Sequence, residues 1–566
     1  MVLPGLLLGQ LPDTTVWVNN FILLNYGMRF FRYGITIGFF SVFLLSKCFS
    51  QSSNRPNILW ISCEDISPHL SFYGDSTIST PNLDALAKKG IVYTNAFTTA
   101  GVCSPSRCAI ITAVNQVTAG GHNMRTLYNT FPEKTGLPKS YSIVPPSEIR
   151  AFPEYLRANG YYCTNNDKTD YQFEAPPTVW DESGKKATWR NRKPGQPFFA
   201  VVNYVITHES QVWVRKDLPL HADPAKIKVP PYYPDTKTVR NDMARFYSNI
   251  ADMDSLIGNL LQQLDDDGLT DSTIIFFWSD HGDGLPFAKR ELYDRGLWIP
   301  LVVTFPDGKG AGTRDDRLIS AIDLGPTVLS LAGVKPRAYM QGRPFLGEYK
   351  NDEHPYIFAA RDRIDSEYDR VRAVRDKDYK YIRNFYPELP LYMNIEYRLN
   401  QPMMKEMLEM KEKRQLDSTQ MKWFVPAKQI EELYDLKKDS LELINLANDP
   451  GYQHVLLRMR TVMDQWIDTV HDLGGVPEKE LIKKMWNGKE SPPVTLAPKI
   501  SITNDQVTIS TETRGASVGY KIIRGRKEPD AWQVYTGPFT MPAGATVKAV
   551  AQRIGYGKSP ETVMKK

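Results

Sequence analysis

The sequence predicts a chain of the α/β class that runs on into a smaller antiparallel sheet and ends in a small β-sandwich. Three observations carry that expectation. Apolar runs at 57–63, 198–205 and 273–278 are separated by helical patterns, and each runs out into polar or acidic residues, as buried parallel strands of such a sheet do. Beyond about Gly347 the pattern changes to short strands. From about residue 495 the chain alternates tightly between Gly, Pro and Asn turns, the pattern of a small sandwich.

The first fifty residues stand apart from the fold. From Met28 the chain reads Met-Arg-Phe-Phe-Arg, then an apolar run from Tyr33 to Leu45, then Lys-Cys-Phe-Ser-Gln. That is the layout of a secretory signal peptide, with Met28 as the start and cleavage near Gln51. Lys47 directly before Cys48 argues against a lipoprotein anchor at that cysteine. A secreted or periplasmic chain is expected, with cell-surface attachment left open and no stable membrane insertion. The net charge of +5 falls to +3 without this segment, which carries Arg29, Arg32 and Lys47 against Asp13. So slight a positive balance suggests no nucleic-acid partner.

In chain order, Asn57–Cys63 is the first buried strand and ends in Glu64-Asp65, where open α/β sheets place their sites. Thr80 reads as an N-cap, Pro81 as the first helical residue and Gly90 as the stop. Ser104-Pro105 before the apolar run Cys108-Ala109-Ile110-Ile111 reads as a second cap with proline at the first helical position. That places Cys103 just ahead of a helix N-terminus, where unpaired N–H groups favour an anion, with Arg107 one turn in. Gly120-Gly121-His122 is a hinged polar loop, Ala151–Gly160 a helix, and Tyr161–Thr164 a strand that runs on to Lys168 and Asp170. Phe198–Val205 is a strand followed by Thr207-His208-Glu209, and apolar steps from Met243 to Leu264 form a long helix stopped by Gly268. Thr273–Trp278 is a strand ending in Ser279-Asp280-His281-Gly282, with Lys289-Arg290 soon after; Ile319–Leu331 reads as helical. Strands of the smaller sheet are expected at 356–360, 372–375 and 379–382. Beyond residue 50 the cysteines are Cys63, Cys103, Cys108 and Cys163, so disulfides do not carry the fold, and Cys103-x4-Cys108 is a poor zinc pattern.

Cys103, Pro105, Ser106 and Arg107 spell Cys-x-Pro-Ser-Arg, and over about residues 54 to 450 the chain resembles the type I sulfatases. The resemblance implies an alkaline-phosphatase-like fold: a large mixed sheet flanked by helices at 54–346 and a smaller C-terminal antiparallel subdomain at 347–490. The β-sandwich at 495–566 resembles immunoglobulin-like modules appended to secreted carbohydrate enzymes. In the family, a formylglycine-generating enzyme oxidises the cysteine to formylglycine, whose hydrate is the nucleophile, and the arginine holds its geometry. Carried over, Glu64, Asp65, Asp280 and His281, with the converted Cys103, bind a divalent metal. Oxygen donors favour calcium, magnesium less so.

The resemblance also puts Lys168, Lys289 or Arg290 on the sulfate and His208 near the leaving group. Asp170 stands where the family has a histidine, leaving the base unassigned; His122 is the substitute this sequence offers, and Asp170 either orients a base or touches substrate. Arg361, Arg363 and Arg375 are expected to line the cleft mouth and read acidic groups of a polysaccharide. The expected activity is sulfate-ester hydrolysis on a sulfated carbohydrate. The Cys-Ser-Pro-Ser-Arg and Thr-His-Glu wording is similar to the heparan N-sulfatase branch, so an N-sulfate stays an alternative. So do the phosphodiesterase and phosphonate-hydrolase chemistries of the superfamily, and a carbohydrate-binding protein on an inactive scaffold.

Overall fold

A computed structural model of the chain describes residues 55–525 and 528–565. The leader expected upstream of Gln51 lies outside the described residues. The main sheet has eight strands: β1 (Asn57–Cys63), β2 (Gly90–Phe97), β3 (Tyr162–Asn166), β4 (Glu182–Ser183), β5 (Phe198–Tyr204), β6 (Thr273–Ser279), β7 (Leu301–Thr304) and β8 (Thr313–Ser320). Their order is β4-β3-β5-β1-β6-β7-β2-β8. The sheet is mixed, because β7 runs antiparallel to both neighbours while β1 lies parallel between β5 and β6.

Apolar side chains alternate across this sheet into two cores. On β1, Leu59 and Ile61 join one core while Ile58 and Trp60 join the other. Both faces are covered, which is why the strand reads as an unbroken apolar run. The helix Lys237–Asp266 closes the first face with Val239, Met243, Phe246, Ile250, Met253 and Ile257, ending before Gly268 in the left-handed region (φ 65°).

Several boundaries differ from the sequence expectation. After α1 (Pro81–Lys88), the helix α2 spans Cys103–Thr112 with Val102 as its N-cap, so Cys103 is its first residue and Ser104-Pro105 lies inside the first turn. Proline is tolerated there because the first N–H groups have no helical acceptor. Gly90 follows the helix Pro81–Lys88 but opens β2. Glycine is required there because a Cβ would sit 2.6 Å from the Val303 carbonyl oxygen, so the close approach of β7 selects it, rather than a left-handed stop. Ile319 and Ser320 end β8, and the helical stretch begins with a 3₁₀ turn at Ala321 before Leu324–Leu331.

The smaller antiparallel sheet comprises β9 (Ile357–Arg361), β10 (Val371–Arg375), β11 (Tyr379–Asn384) and β12 (Glu431–Asp435), in order β12-β11-β10-β9. The helix Gln453–Thr469 packs Val455, Met459, Met463 and Trp466 against it. The C-terminal residues form two facing antiparallel sheets of three and four strands around Val507, Ile509, Val547 and Ala549. This sandwich is anchored by Ser517 Oγ, which donates to Glu154 at 2.5 Å, and by Arg553, which donates to the Pro145 carbonyl at 3.3 Å. All four described cysteines are free and buried. No helix among the described residues is long and apolar enough to cross a membrane.

Candidate active site

Three adjacent strands deliver the site. Cys63 is in register with Tyr204 on one side and Ser279 on the other, so the segments leaving β1, β5 and β6 emerge side by side. Glu64 and Asp65 follow β1, Thr207-His208-Glu209 follows β5, and Asp280-His281 follows β6. Helix α2 brings Cys103 to this edge, and its first turn is bolted there. Ser106 Oγ donates to the Asp280 carbonyl at 2.6 Å. Arg107 donates from Nε to Asp280 Oδ2 at 3.0 Å, from Nη1 to Asn203 Oδ1 at 2.9 Å and from Nη2 to Glu64 Oε1 at 3.4 Å. The Cys-x-Pro-Ser-Arg residues thus tie one helix turn to the ends of three strands.

Cys103 Sγ lies 3.4 Å from His281 Nε2. Burial pushes its thiol up, but Lys289 and Lys168 outweigh that and bring it down to about 7, the behaviour of a sulfur in an electropositive pocket. Lys289 Nζ is 2.5 Å from Asp65 Oδ2 and 3.2 Å from Glu209 Oε1. Lys168 pairs with Glu64 and lies 3.5 Å from Asp170 Oδ2. Burial pushes the Asp170 carboxyl up, but Lys168 and a hydrogen bond from Ser104 hold it below its ordinary range. His208 Nδ1 is 2.8 Å from Ser210 Oγ. Burial and Lys289 oppose protonation of this imidazole, yet Asp65, Cys103 and Glu64 raise it overall.

The same residues fit a divalent cation. Asp65, Cys103 and His281 form one group and Glu64, Cys103 and Asp280 a second, each with ligand atoms within 4.8 Å of one another. Glu64, Asp65, Asp280 and His281 are almost wholly buried. Asp65 Oδ1 is buried with no hydrogen bond; His281 Nε2 approaches it to 3.0 Å, an ion-pair distance without hydrogen-bond alignment. An orphaned carboxylate oxygen among two further carboxylates and an imidazole is what a hard cation takes.

Of the residues singled out in the sequence, Glu64, Asp65, Cys103, Arg107, Lys168, Asp170, His208, Asp280, His281 and Lys289 converge. Lys289, not Arg290, faces Cys103: Arg290 is committed to Glu209 by two hydrogen bonds of 2.9 and 2.5 Å. His122 is buried with Nδ1 unpartnered, and no hydrogen bond among the described residues joins it to Cys103.

The three cleft-mouth arginines are a correction. Arg361 is buried and pairs with Glu291 and Asp369. Arg363, 0% exposed, grips Glu478 at 2.6 and 2.8 Å. Arg375 pairs with Asp294 at 3.1 Å. Each guanidinium is consumed by an internal carboxylate, so none presents itself to substrate.

Sequence reasoning missed Asn203 and Glu209. Asn203 accepts from Arg107 and from Ser62 Oγ, and its amide nitrogen donates to the Asn166 carbonyl at 2.9 Å. A polar residue closing an otherwise apolar strand was its signal. Glu209 holds both Lys289 and Arg290, and stood in the sequence beside His208.

Comparison with known proteins places these elements. A family model described as Sulfatase matches residues 56–177 and 162–334, and one described as N-sulphoglucosamine sulphohydrolase, C-terminal, matches 282–429. The chain is 48% identical over 541 residues to an ulvan-active sulfatase of Formosa agariphila, covering 89% of this chain and 90% of that one. It is 25% identical over 467 residues to human N-sulphoglucosamine sulphohydrolase, covering 74% and 91%. Among solved structures, a 2-O GAG sulfatase superposes with TM-score 0.52 at 18% identity, covering 74% of this chain and 93% of that one. A protein bound to its substrate D-glucosamine-2-N,6-O-disulfate superposes with TM-score 0.51 at 17% identity, covering 75% and 100%. At those identities the structures establish a shared fold.

Proposed function

This chain belongs to the sulfatase family, and from that premise we propose that it hydrolyses sulfate esters of a sulfated polysaccharide or its oligosaccharides, releasing inorganic sulfate. The ulvan-active relative, similar along nine-tenths of its length, supports ulvan as the first substrate class to try. The observation that carries the reading is Cys103 at the first turn of α2, flanked by Lys168 and Lys289 and set against Glu64, Asp65, Asp280 and His281.

A formylglycine-generating enzyme acts on Cys103, and the hydrated aldehyde supplies the nucleophile for sulfur. Glu64, Asp65, Asp280 and His281 would hold a divalent cation, calcium by their donor set, which when bound offsets charge on the sulfate oxygens. Arg107 fixes the nucleophile's helix turn against Asp280 and Glu64. Lys168 and Lys289 place two ammonium groups beside position 103, where negative charge develops as the ester breaks. Asp170 holds Lys168 in place. His208 keeps its Nδ1 on Ser210 and carries the proton that the departing sugar oxygen takes up.

The charged n-region and apolar run at 28–51 support export of the mature chain to the periplasm or medium. The test is to co-express the full chain with a formylglycine-generating enzyme and measure sulfate released from ulvan oligosaccharides. Release is expected; its absence on every sulfated carbohydrate tried overturns the reading. A second reading, cleavage of an N-sulfate, is favoured by the match at 282–429 to the sulphohydrolase C-terminal model. Sulfate release from N-sulfoglucosamine in the same assay separates the two.

A further inference from the structure

Beside the catalytic constellation lies a cavity of about 350 Å³ whose lining includes Arg125, Lys134, Asp365, Glu396, Tyr397 and Asn400. Tyr397 forms the wall common to both. Its ring lies 6.4 Å from that of His208 and 5.3 Å, edge-on, from that of Trp213. On the cavity side, the Arg125 guanidinium lies 5.4 Å from the Tyr397 ring centre. A group bound there therefore sits next to whatever His208 protonates.

The cavity is built from three separate loops on one floor. Val102, Met124, Ile364, Met393 and Ile395 form a small buried cluster of their own, with Tyr397 packed on it. Val102 is the residue before Cys103, so the floor is continuous with the nucleophile's helix. Three of the other anchors are each followed by a polar residue of the lining: Met124 by Arg125, Ile364 by Asp365 and Ile395 by Glu396. Arg125 and Asp365 both adopt left-handed backbone (φ 59° and 52°), a conformation that non-glycine residues hold only when the surroundings impose it. They pair at 2.6 Å through Arg125 Nε. Among the described residues no hydrogen bond engages the two terminal nitrogens of Arg125, and no hydrogen bond or ion pair engages the Lys134 ammonium. With Asp365 spent on Arg125, two cationic groups, an aromatic ring, the exposed Glu396 carboxylate and the Asn400 amide face one space.

We infer that this cavity is the subsite for a second sugar residue, glycosidically linked to the sulfated one and carrying an anionic substituent. A free guanidinium edge meets a carboxylate or sulfate by paired, charge-assisted hydrogen bonds. An aromatic ring with polar side chains beside it suits a sugar's mixed faces. The inference rests on the carbohydrate sulfatase reading above.

The experiment measures KM and kcat for a sulfated, uronate-bearing oligosaccharide, its carboxyl-reduced form and a small aryl sulfate. The parent, Arg125→Gln and exposed Lys134→Ala are compared, with calorimetric affinity for the oligosaccharide read in parallel. Each variant is expected to raise KM and the dissociation constant for the oligosaccharide about tenfold more than KM for the aryl sulfate. If that penalty vanishes on the carboxyl-reduced form the anion is the uronate; if it persists, it is a second sulfate. Equal effects on oligosaccharide and aryl sulfate, or none on either kinetics or affinity, overturn the subsite. Aryl sulfate turnover by the parent reports on the sulfatase reading by itself, so the two fail separately.

Discussion

Asn203 Oδ1 accepts a hydrogen bond from Arg107 Nη1 at 2.9 Å, while the same amide donates to the carbonyl of Asn166. One side chain at the end of β5 therefore ties Arg107 of α2 to the loop that carries Lys168. Removing it frees both cations from a shared support. Asn203→Ala is expected to lower kcat by about 10- to 100-fold with a smaller change in KM, because misplaced charge costs most where charge develops. Steady-state kinetics on an aryl sulfate checks this; unchanged kcat contradicts it.

Metal removal should act on stability as well as rate. Three buried carboxylates and an imidazole converge, so a bound cation stabilises the folded chain in proportion to its free concentration over its dissociation constant. A chelator is expected to lower the thermal midpoint and activity together, and added calcium to restore both. Asp280→Asn should make the midpoint insensitive to calcium. A midpoint that ignores the chelator in the parent counts against the site.

The Arg363–Glu478 pair should behave as structure. Glu478 also accepts from Tyr141 at 2.6 Å, and breaking one side of a buried pair costs about 3–5 kcal/mol. Glu478→Ala is expected to lower the thermal midpoint by several degrees while leaving the KM ratio between oligosaccharide and aryl sulfate unchanged. A selective rise in KM for the oligosaccharide would return Arg363 to the substrate.

His69 gives a pH signature away from the reacting atoms. Its imidazole lies 2.9 Å from both Asp75 and Asp283. Burial opposes protonation, but Asp283 and then Asp75 outweigh it and raise the group from 6.5 to about 10. A folded value above the unfolded one means that this contribution is complete below pH 6.5 and fades as pH rises through about 10. His69→Ala is expected to cost about 1–3 kcal/mol near pH 7, the partial exposure of the imidazole screening the rest. The gap in midpoint between parent and variant should narrow between pH 8 and 10.5 in scanning fluorimetry. A constant gap across that range contradicts the assignment.

The convergence of these residues at one sheet edge was legible in the sequence because its parts sit at recognisable joints. Glu64-Asp65, His208 and Asp280-His281 each follow an apolar strand, and Cys103 and Arg107 open a helix. What the sequence hid was direction and distance. Arg363 meets Glu478, 115 residues away, and strand alternation tells which residues share a face without telling what covers it. A surface reading of Arg361 and Arg363 therefore failed, because both guanidiniums are closed off by carboxylates from elsewhere in the chain. The first turn of α2 was misread by two residues for a local reason. Ser-Pro is a good start signal, but proline fits anywhere in a first turn, and Val102 caps the helix with its backbone alone. Arg125 and Tyr397 carry no motif, and only the folded chain brings them together.

The account turns on Cys103 as the source of the nucleophile. The most direct measurement is inorganic sulfate released from one sulfated oligosaccharide by the parent and by Cys103→Ala, both co-produced with a formylglycine-generating enzyme. The account predicts release by the parent and a rate lower by about 10⁴-fold or more in the variant. Release by Cys103→Ala at the parent's rate would contradict it.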